Sequence, residues 1–201
     1  MISKYSRCLV ISSLLFLLSC KTTLNTDLKV SELEKNKSKV DVTFTADLRE
    51  CRKDYPQIYE KSIKFIACRP NGFGLVSNIW ATKATVVHDA KIVYDDHLSL
   101  YYTKNGSAIF VTGTAITERI KEELTRGYLN KDLVFKVTLY NDTNKERVVL
   151  VKGAWGNGLP TGMQGKKFRI QSNELLGIVM GDVETALFLS NGYIPLFLLE
   201  E

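Results

Sequence analysis

VDVTFTADL, residues 40–48, decides how this chain is read. Val40, Val42, Phe44, Ala46 and Leu48 alternate with Asp41, Thr43, Thr45 and Asp47. Successive side chains of a strand point to opposite faces, so this period of two predicts a strand with one buried and one wet side. Working outward, Ser62 to Cys68 predicts a second strand and the β-branched run Leu75 to Val87 one bent strand or two. Lys91 to Tyr94 predicts a short strand, and His97 to Thr103 pairs with Ser107 to Val111 through Asn105-Gly106, a strong hairpin signal. Asp132 to Tyr140 and Arg147 to Trp155 predict a further hairpin.

One stretch has helical rather than strand spacing. Ile116, Ile120 and Leu124 recur four apart among Glu118, Arg119, Lys121 and Glu122, with Thr117 as cap and Gly127 as terminator. Asp54, Gln57 and Pro56 predict one or two helical turns before the second strand. Late in the chain, Phe168 to Ile170 and Leu175 to Met180 predict strands. Val183 to Leu189 reads as helix or strand, and strand is preferred because Asn191-Gly192 leads into Tyr193 to Leu199 like a second hairpin turn. Pro195 places that last strand at a sheet edge. The fold class is therefore mainly β, an antiparallel β-sandwich or partly open barrel with one amphipathic helix, with α+β as the alternative.

Residues 1–19 carry Lys4 and Arg7, no acid, and an apolar run from Leu9 to Leu18. That run is shorter than the roughly 20 apolar residues a spanning helix needs, and its basic start is that of an export signal. Leu17-Leu18-Ser19-Cys20 resembles the lipobox of bacterial lipoproteins, with an aliphatic residue three before the cysteine and a small one directly before it. The resemblance covers only the first 20 residues. It implies a signal peptide over 1–19, a diacylglycerol on Cys20, cleavage before it, and an acyl chain such as palmitate on the new N-terminus. Several acyl chains anchor stably where one holds only reversibly. In the lipoproteins of diderm bacteria an Asp after the cysteine retains the protein at the inner membrane, so Lys21 here implies the outer membrane, facing the periplasm. Residues 20–39, polar and Lys-rich after the anchor, read as a flexible tether of about 25 Å, and 40–201 as a single β-rich globular domain.

Residues 1–19 hold two of the 27 basic residues and none of the 22 acidic ones, leaving a mature net charge of about +3. Nucleic-acid binding calls for a concentrated basic face and is excluded as a reading. Cys51 and Cys68 are the pair left in the exported part, and in an oxidising compartment they read as a disulfide. The bridge carries a topological expectation. In a simple hairpin of 40–48 with 62–68 the two sulfurs would be about 20 Å apart, at roughly 3.3 Å per residue, whereas a bridge tolerates about 7 Å between Cα atoms. The two strands must therefore run in the same sense, adjacent or not, inside an otherwise antiparallel fold.

Candidate chemistry is sparse. The two histidines stand in His88-Asp89 and Asp95-Asp96-His97, residue types that would suit a metal or hydrolytic site if a turn drew them together. Turn residues explain the same letters, and no metal or other cofactor is expected. The stretch from Gly153 to Lys167 fails as a phosphate loop, with Pro160 where its first glycine belongs and Lys167 where its hydroxyl belongs. It reads instead as a flexible loop whose Trp155, Asn157 and Lys166 are the candidate ligand contacts. Trp80, Tyr94, Tyr101 and Tyr102 read as core or cross-strand packing ahead of an outward aromatic patch. The function expected is a lipid-anchored, non-enzymatic envelope module that binds an envelope protein, a cell-wall component or a small apolar ligand. The alternative is an envelope hydrolase built on His88 and His97.

Overall fold

The computed structural model describes residues 21–53, 58–59, 62–72, 74–127, 129 and 132–200. The signal peptide, Cys20 and the helical turn expected around Asp54 and Gln57 lie outside the described residues. Among the described residues thirteen strands form one sheet: β1 (Lys21–Lys29), β2 (Lys39–Leu48), β3 (Lys64–Pro70), β4 (Val76–His88), β5 (Ser99–Tyr102), β6 (Ser107–Val111), β7 (Asp132–Tyr140), β8 (Arg147–Val151), β9 (Ala154–Gly156), β10 (Leu159–Pro160), β11 (Lys166–Ile170), β12 (Leu175–Met180) and β13 (Tyr193–Glu200). Three helices join them: α1 (Val30–Leu33), α2 (Thr114–Arg126) and α3 (Asp182–Asn191).

The strand order is β10-β9-β12-β7-β1-β2-β4-β5-β6-β13-β8-β11, with β3 beside β4. The sheet curls into an open half-barrel around one core. Phe188 of α3 stacks edge-on against Phe135 of β7, centroids 4.9 Å apart, and Phe135 meets Phe110 of β6 at 5.5 Å. Strands distant in the order thus share one interior. The two margins also approach. A Cβ on Gly156 of β9 would lie 2.3 Å from the Phe168 ring of β11, so only glycine lets that ring close the seam. The mainly β, partly open barrel expected from the sequence is the architecture observed.

Residues 40–48 form the strand their alternation predicts, with Val40, Val42, Phe44 and Ala46 buried. Fully burying a side chain such as Phe44 is worth about 1.5–3 kcal/mol, so this face holds the sheet on its core. The Leu75–Val87 run is one strand, while 91–94 form none. Asn105-Gly106 joins β5 to β6 as expected. Helix α2 begins at Thr114 with Gly113 as its N-cap, not at Thr117, whose Oγ1 donates to the Thr114 carbonyl at 2.9 Å inside the first turn. Gly127 ends it at φ +79°, as expected.

The disulfide is present, with Cα atoms of Cys51 and Cys68 5.7 Å apart. Strands β2 and β3 both pair antiparallel with β4, on opposite sides, and therefore run in the same sense without touching. Asn78 of β4 faces Ala46 on one flank and Cys68 on the other, which places both cysteines at one end of the sheet. Closing a loop of this size is worth about 3 kcal/mol in the chain-entropy model. The rest of the sheet is not all antiparallel, since β1 pairs with β7 and β4 with β5 in parallel.

Four further expectations are corrected. Residues 21–39 are no tether: β1 is an interior strand between β2 and β7, with Thr22, Leu24, Thr26 and Leu28 buried, and Val30 and Leu33 of α1 complete the same core. Two of its four inward residues are threonines, which hides the alternation from a count of apolar letters. β7 and β8 form no hairpin. β7 lies between β1 and β12, β8 between β13 and β11, and the connection 141–146 crosses the seam. Buried Asn141 pins it there, its Nδ2 donating to the carbonyls of Lys145 (2.7 Å), Ile170 (3.0 Å) and Gln171 (3.1 Å). Residues 183–189 are helical, not extended: α3 buries Thr185 and Phe188 but leaves Val183 and Leu187 in solvent, so its apolar residues mark no single stripe. Asn191-Gly192 is its terminus, with Gly192 at φ +75° and its N–H donating to the Phe188 carbonyl at 2.8 Å. Lastly, β13 is interior, between β6 and β8, and Pro195 is accommodated where a bulge shifts the register before Phe197.

Candidate functional site

The two histidines do not converge. His88 ends β4 in a cavity of about 500 Å³ lined also by Asp89, Tyr102, Lys104 and Arg147. Its Nε2 donates to the Leu33 carbonyl at 2.6 Å, so that nitrogen carries the proton and cannot ligate a metal. Asp89, at φ +45°, accepts the Lys104 N–H at 2.6 Å and so fixes the adjoining turn. His97 lines a different groove with Asp95 and Asp96. Asp95 Oδ1 accepts the His97 N–H at 3.0 Å, and its carbonyl accepts from Gly113 at 2.6 Å, placing the loop against the start of α2. Among the described residues no three His, Cys, Asp or Glu side chains stand close enough together to hold a metal ion.

The groove at His97 has about 740 Å³ and continues into a cleft of about 510 Å³ toward Ile116 and Arg119 of α2. Sequence reasoning missed it, because it forms in the gap between the starts of β3 and β5, which both flank β4. Its rim is of mixed charge: Lys83 pairs with Asp41 at 2.6 Å and Lys39 Nζ donates to Thr85 Oγ1 at 2.5 Å. Ser62 lines it with His97, yet Ser62 Oγ donates to the Tyr59 carbonyl at 2.6 Å rather than to an imidazole. Burial pushes the Tyr59 phenol well above its ordinary value, and the nearby Thr112 hydroxyl opposes that shift; neither hydroxyl makes a hydrogen bond of good geometry. A phenol that stays protonated supports the wall and supplies no base. Among the described residues no nucleophile, base and orienting group stand in sequence here.

The glycine-rich stretch is more ordered than a loop. β9 and β10 form a tight hairpin whose two turn residues, Asn157 (φ +46°) and Gly158 (φ +78°), have the left-handed pair of a type I′ turn. An Asn-Gly pair was the available signal. Asn157 is spent on holding this hairpin to β12: its N–H donates to the Gly177 carbonyl at 2.7 Å and its Oδ1 accepts the Gly177 N–H at 2.8 Å. Lys166 stands on β11, its Nζ 5.9 Å from the Phe168 ring centre. Trp155 alone of the three candidate contacts presents a large apolar surface, 46% exposed. It pairs across strands with Pro160 on one side and Val179 on the other. Leu175, 58% exposed, shares the outer face of β12 with Gly177 and Val179. An apolar strip thus crosses the outside of the sheet at its margin.

A second apolar feature also escaped the sequence. The bulge in β13 opens a pocket of about 380 Å³ lined by Ile109, Leu150, Leu187, Pro195 and Phe197. As for the aromatic residues, Trp80 and Tyr101 are buried, Tyr102 is half-buried beside His88, and Tyr94 is exposed. No helix among the described residues is long and apolar enough to cross a membrane.

No curated protein and no solved structure matches the chain. A family model does, over residues 22–201, so it takes in β1 from Thr22 onward and every later element. The chain belongs to the family described as a domain of unknown function, DUF7424.

Proposed function

We propose that this protein is a lipid-anchored, non-enzymatic module of the cell envelope, held through Cys20 in the outer membrane facing the periplasm, which binds an envelope protein. The lipobox-like Leu17-Leu18-Ser19-Cys20 supports the anchor. The observation that carries the binding role is the outer strip at Trp155, Pro160, Val179 and Leu175, since aromatic and aliphatic side chains exposed together on a sheet face suit a protein partner. The separation of His88 from His97 weighs against the hydrolase alternative.

Fatty-acid labelling of cells tests the anchor: the wild type takes up label and Cys20→Ser does not. Crosslinking in intact envelopes followed by purification of the anchored protein tests the role. A defined protein recovered with the wild type and lost with Trp155→Ala supports it. Recovery of that protein with both forms, or of cell-wall fragments instead, overturns it.

A further inference from the structure

We infer that the domain docks flat on an anionic phospholipid surface through the end of the sheet that carries the Cys51–Cys68 bridge. This rests on the reading of Cys20 as the lipidated residue. β1 begins at Lys21, the very next residue, so the anchor joins an interior strand with no spacer. Consecutive Cα atoms are about 3.8 Å apart, which leaves the domain no freedom to stand off the bilayer.

The register then fixes which face meets the lipid. Thr22 pairs with Ala46, Ala46 with Asn78, and Asn78 with Cys68. β1 runs opposite to β2 and β3, so the chain before Thr22 leaves the sheet in the direction taken by the chain after Ala46 and after Cys68. Leu48 and Arg49 after β2, and residues 70–72 at the end of β3, therefore continue past the level of Lys21 on the side where the acyl chains must lie, Arg69 stands level with Lys21, and residues 50–53 turn back beside Asn78. Around that level stand Arg49, Arg52, Lys53 and Arg69 with Asp47, Glu50 and Asp132, and since Arg52 pairs with Glu50, the cations free to meet an anionic surface are Arg49, Lys53 and Arg69. Arg49, Lys53 and Arg69 are exposed.

The surface is also held rigid. The bridge ties residue 51 to β3 just before the second segment leaves it. Buried Asn78 fixes the first: its Oδ1 accepts the Arg52 N–H at 2.7 Å and its Nδ2 donates to the Glu50 carbonyl at 3.1 Å. Basic groups within a Debye length of an anionic leaflet are attracted to it, and here they need little reordering to reach it. Ion pairs occur at both ends of the strands, Arg52 with Glu50 at 3.4 Å beside the bridge and Arg147 with Glu34 at 2.6 Å and Arg169 with Glu146 at 2.8 Å at the other, so it is the position of the anchor that selects the bridge end.

The test uses the lipidated protein in nanodiscs of phosphatidylethanolamine and phosphatidylglycerol, with a nitroxide-headgroup lipid added and amide NMR signals read. Docking predicts that amides of 49–53 and 69–72 broaden several-fold more than those of 35–37 and 104–106. Intact mass on the same sample reports the Cys20 lipid. A missing lipid defeats the anchoring reading, while lipid present with equal broadening at both ends overturns the docking alone. Combined Arg49→Glu, Lys53→Glu and Arg69→Glu, with an unchanged circular dichroism spectrum, should abolish the difference. A difference that survives the reversal overturns the electrostatic contact.

Discussion

Residues 21–29 and 153–165 both look like connecting chain in the sequence, one polar and Lys-rich, the other full of glycine, and the fold treats them in opposite ways. The first is an interior strand with neighbours on both sides and four inward side chains sealed from water. The second is a two-stranded margin whose Trp155 faces solvent. Burial on both edges makes the former a determinant of stability, and a free edge and outer face make the latter a surface for contact. Letter composition distinguishes neither case. What separates them is whether the small and polar letters fall on alternate, β-branched positions, as Thr22 and Thr26 do, or at turn positions, as Asn157 and Gly158 do.

The contrast can be broken most forcefully at Leu24. Truncation in a closed core costs about 2–5 kcal/mol, so Leu24→Ala should lower stability by that amount in urea unfolding, and a tether-like loss near zero would dissolve the comparison. Next comes the seam. Gly156→Ala thrusts a methyl into the Phe168 ring and should cost about 1–3 kcal/mol, showing that the margin contributes to stability only where it meets β11.

A smaller effect belongs to the end of α1, where Asp142 accepts the N–H of Ser31 at 3.0 Å and its hydroxyl at 2.5 Å. Partial burial pushes the Asp142 carboxyl up, but the two Ser31 bonds prevail and hold it below its ordinary value. Its contribution is then whole above about pH 4 and fades as pH falls through the lowered value. Asp142→Asn should cost about 1 kcal/mol, as a lost helix cap does, at neutral pH, and the difference from wild type should shrink in acid. A difference that grows on acidification would contradict this sign. Smallest is Trp155→Ala, expected within about 0.5 kcal/mol of wild type, as for other surface substitutions; a loss comparable to Leu24→Ala would make Trp155 a core residue in disguise.

The sequence made β2, β4, the β5–β6 hairpin, α2 and the bridge legible because each signal is local or, for the cysteines, exhausted by arithmetic. Partner choice was not local. The alternation of β7 and β8 told which face each buries, yet the partners are set by curvature, through Asn141 and the Gly156–Phe168 contact. α3 reads as a strand because Asn191-Gly192, in fact its C-terminus, imitates a hairpin turn, and with Val183 and Leu187 facing water while Phe188 fills the interior no stripe marks the helix. Of the site residues, Trp155 could be singled out by type alone, but the structural duties of Asn157, His88 and Asp89 depend on Gly177, Leu33 and Lys104, which are remote in the chain.

The account turns on β1 being part of the fold, and amide hydrogen exchange of residues 22–28 tests that directly. A strand paired on both sides opens only with the global transition, so these amides should exchange as slowly as those of 40–46 and 133–139. Exchange within the dead time, at the rate of an unstructured tether, would contradict it and remove the basis for docking the domain against the membrane.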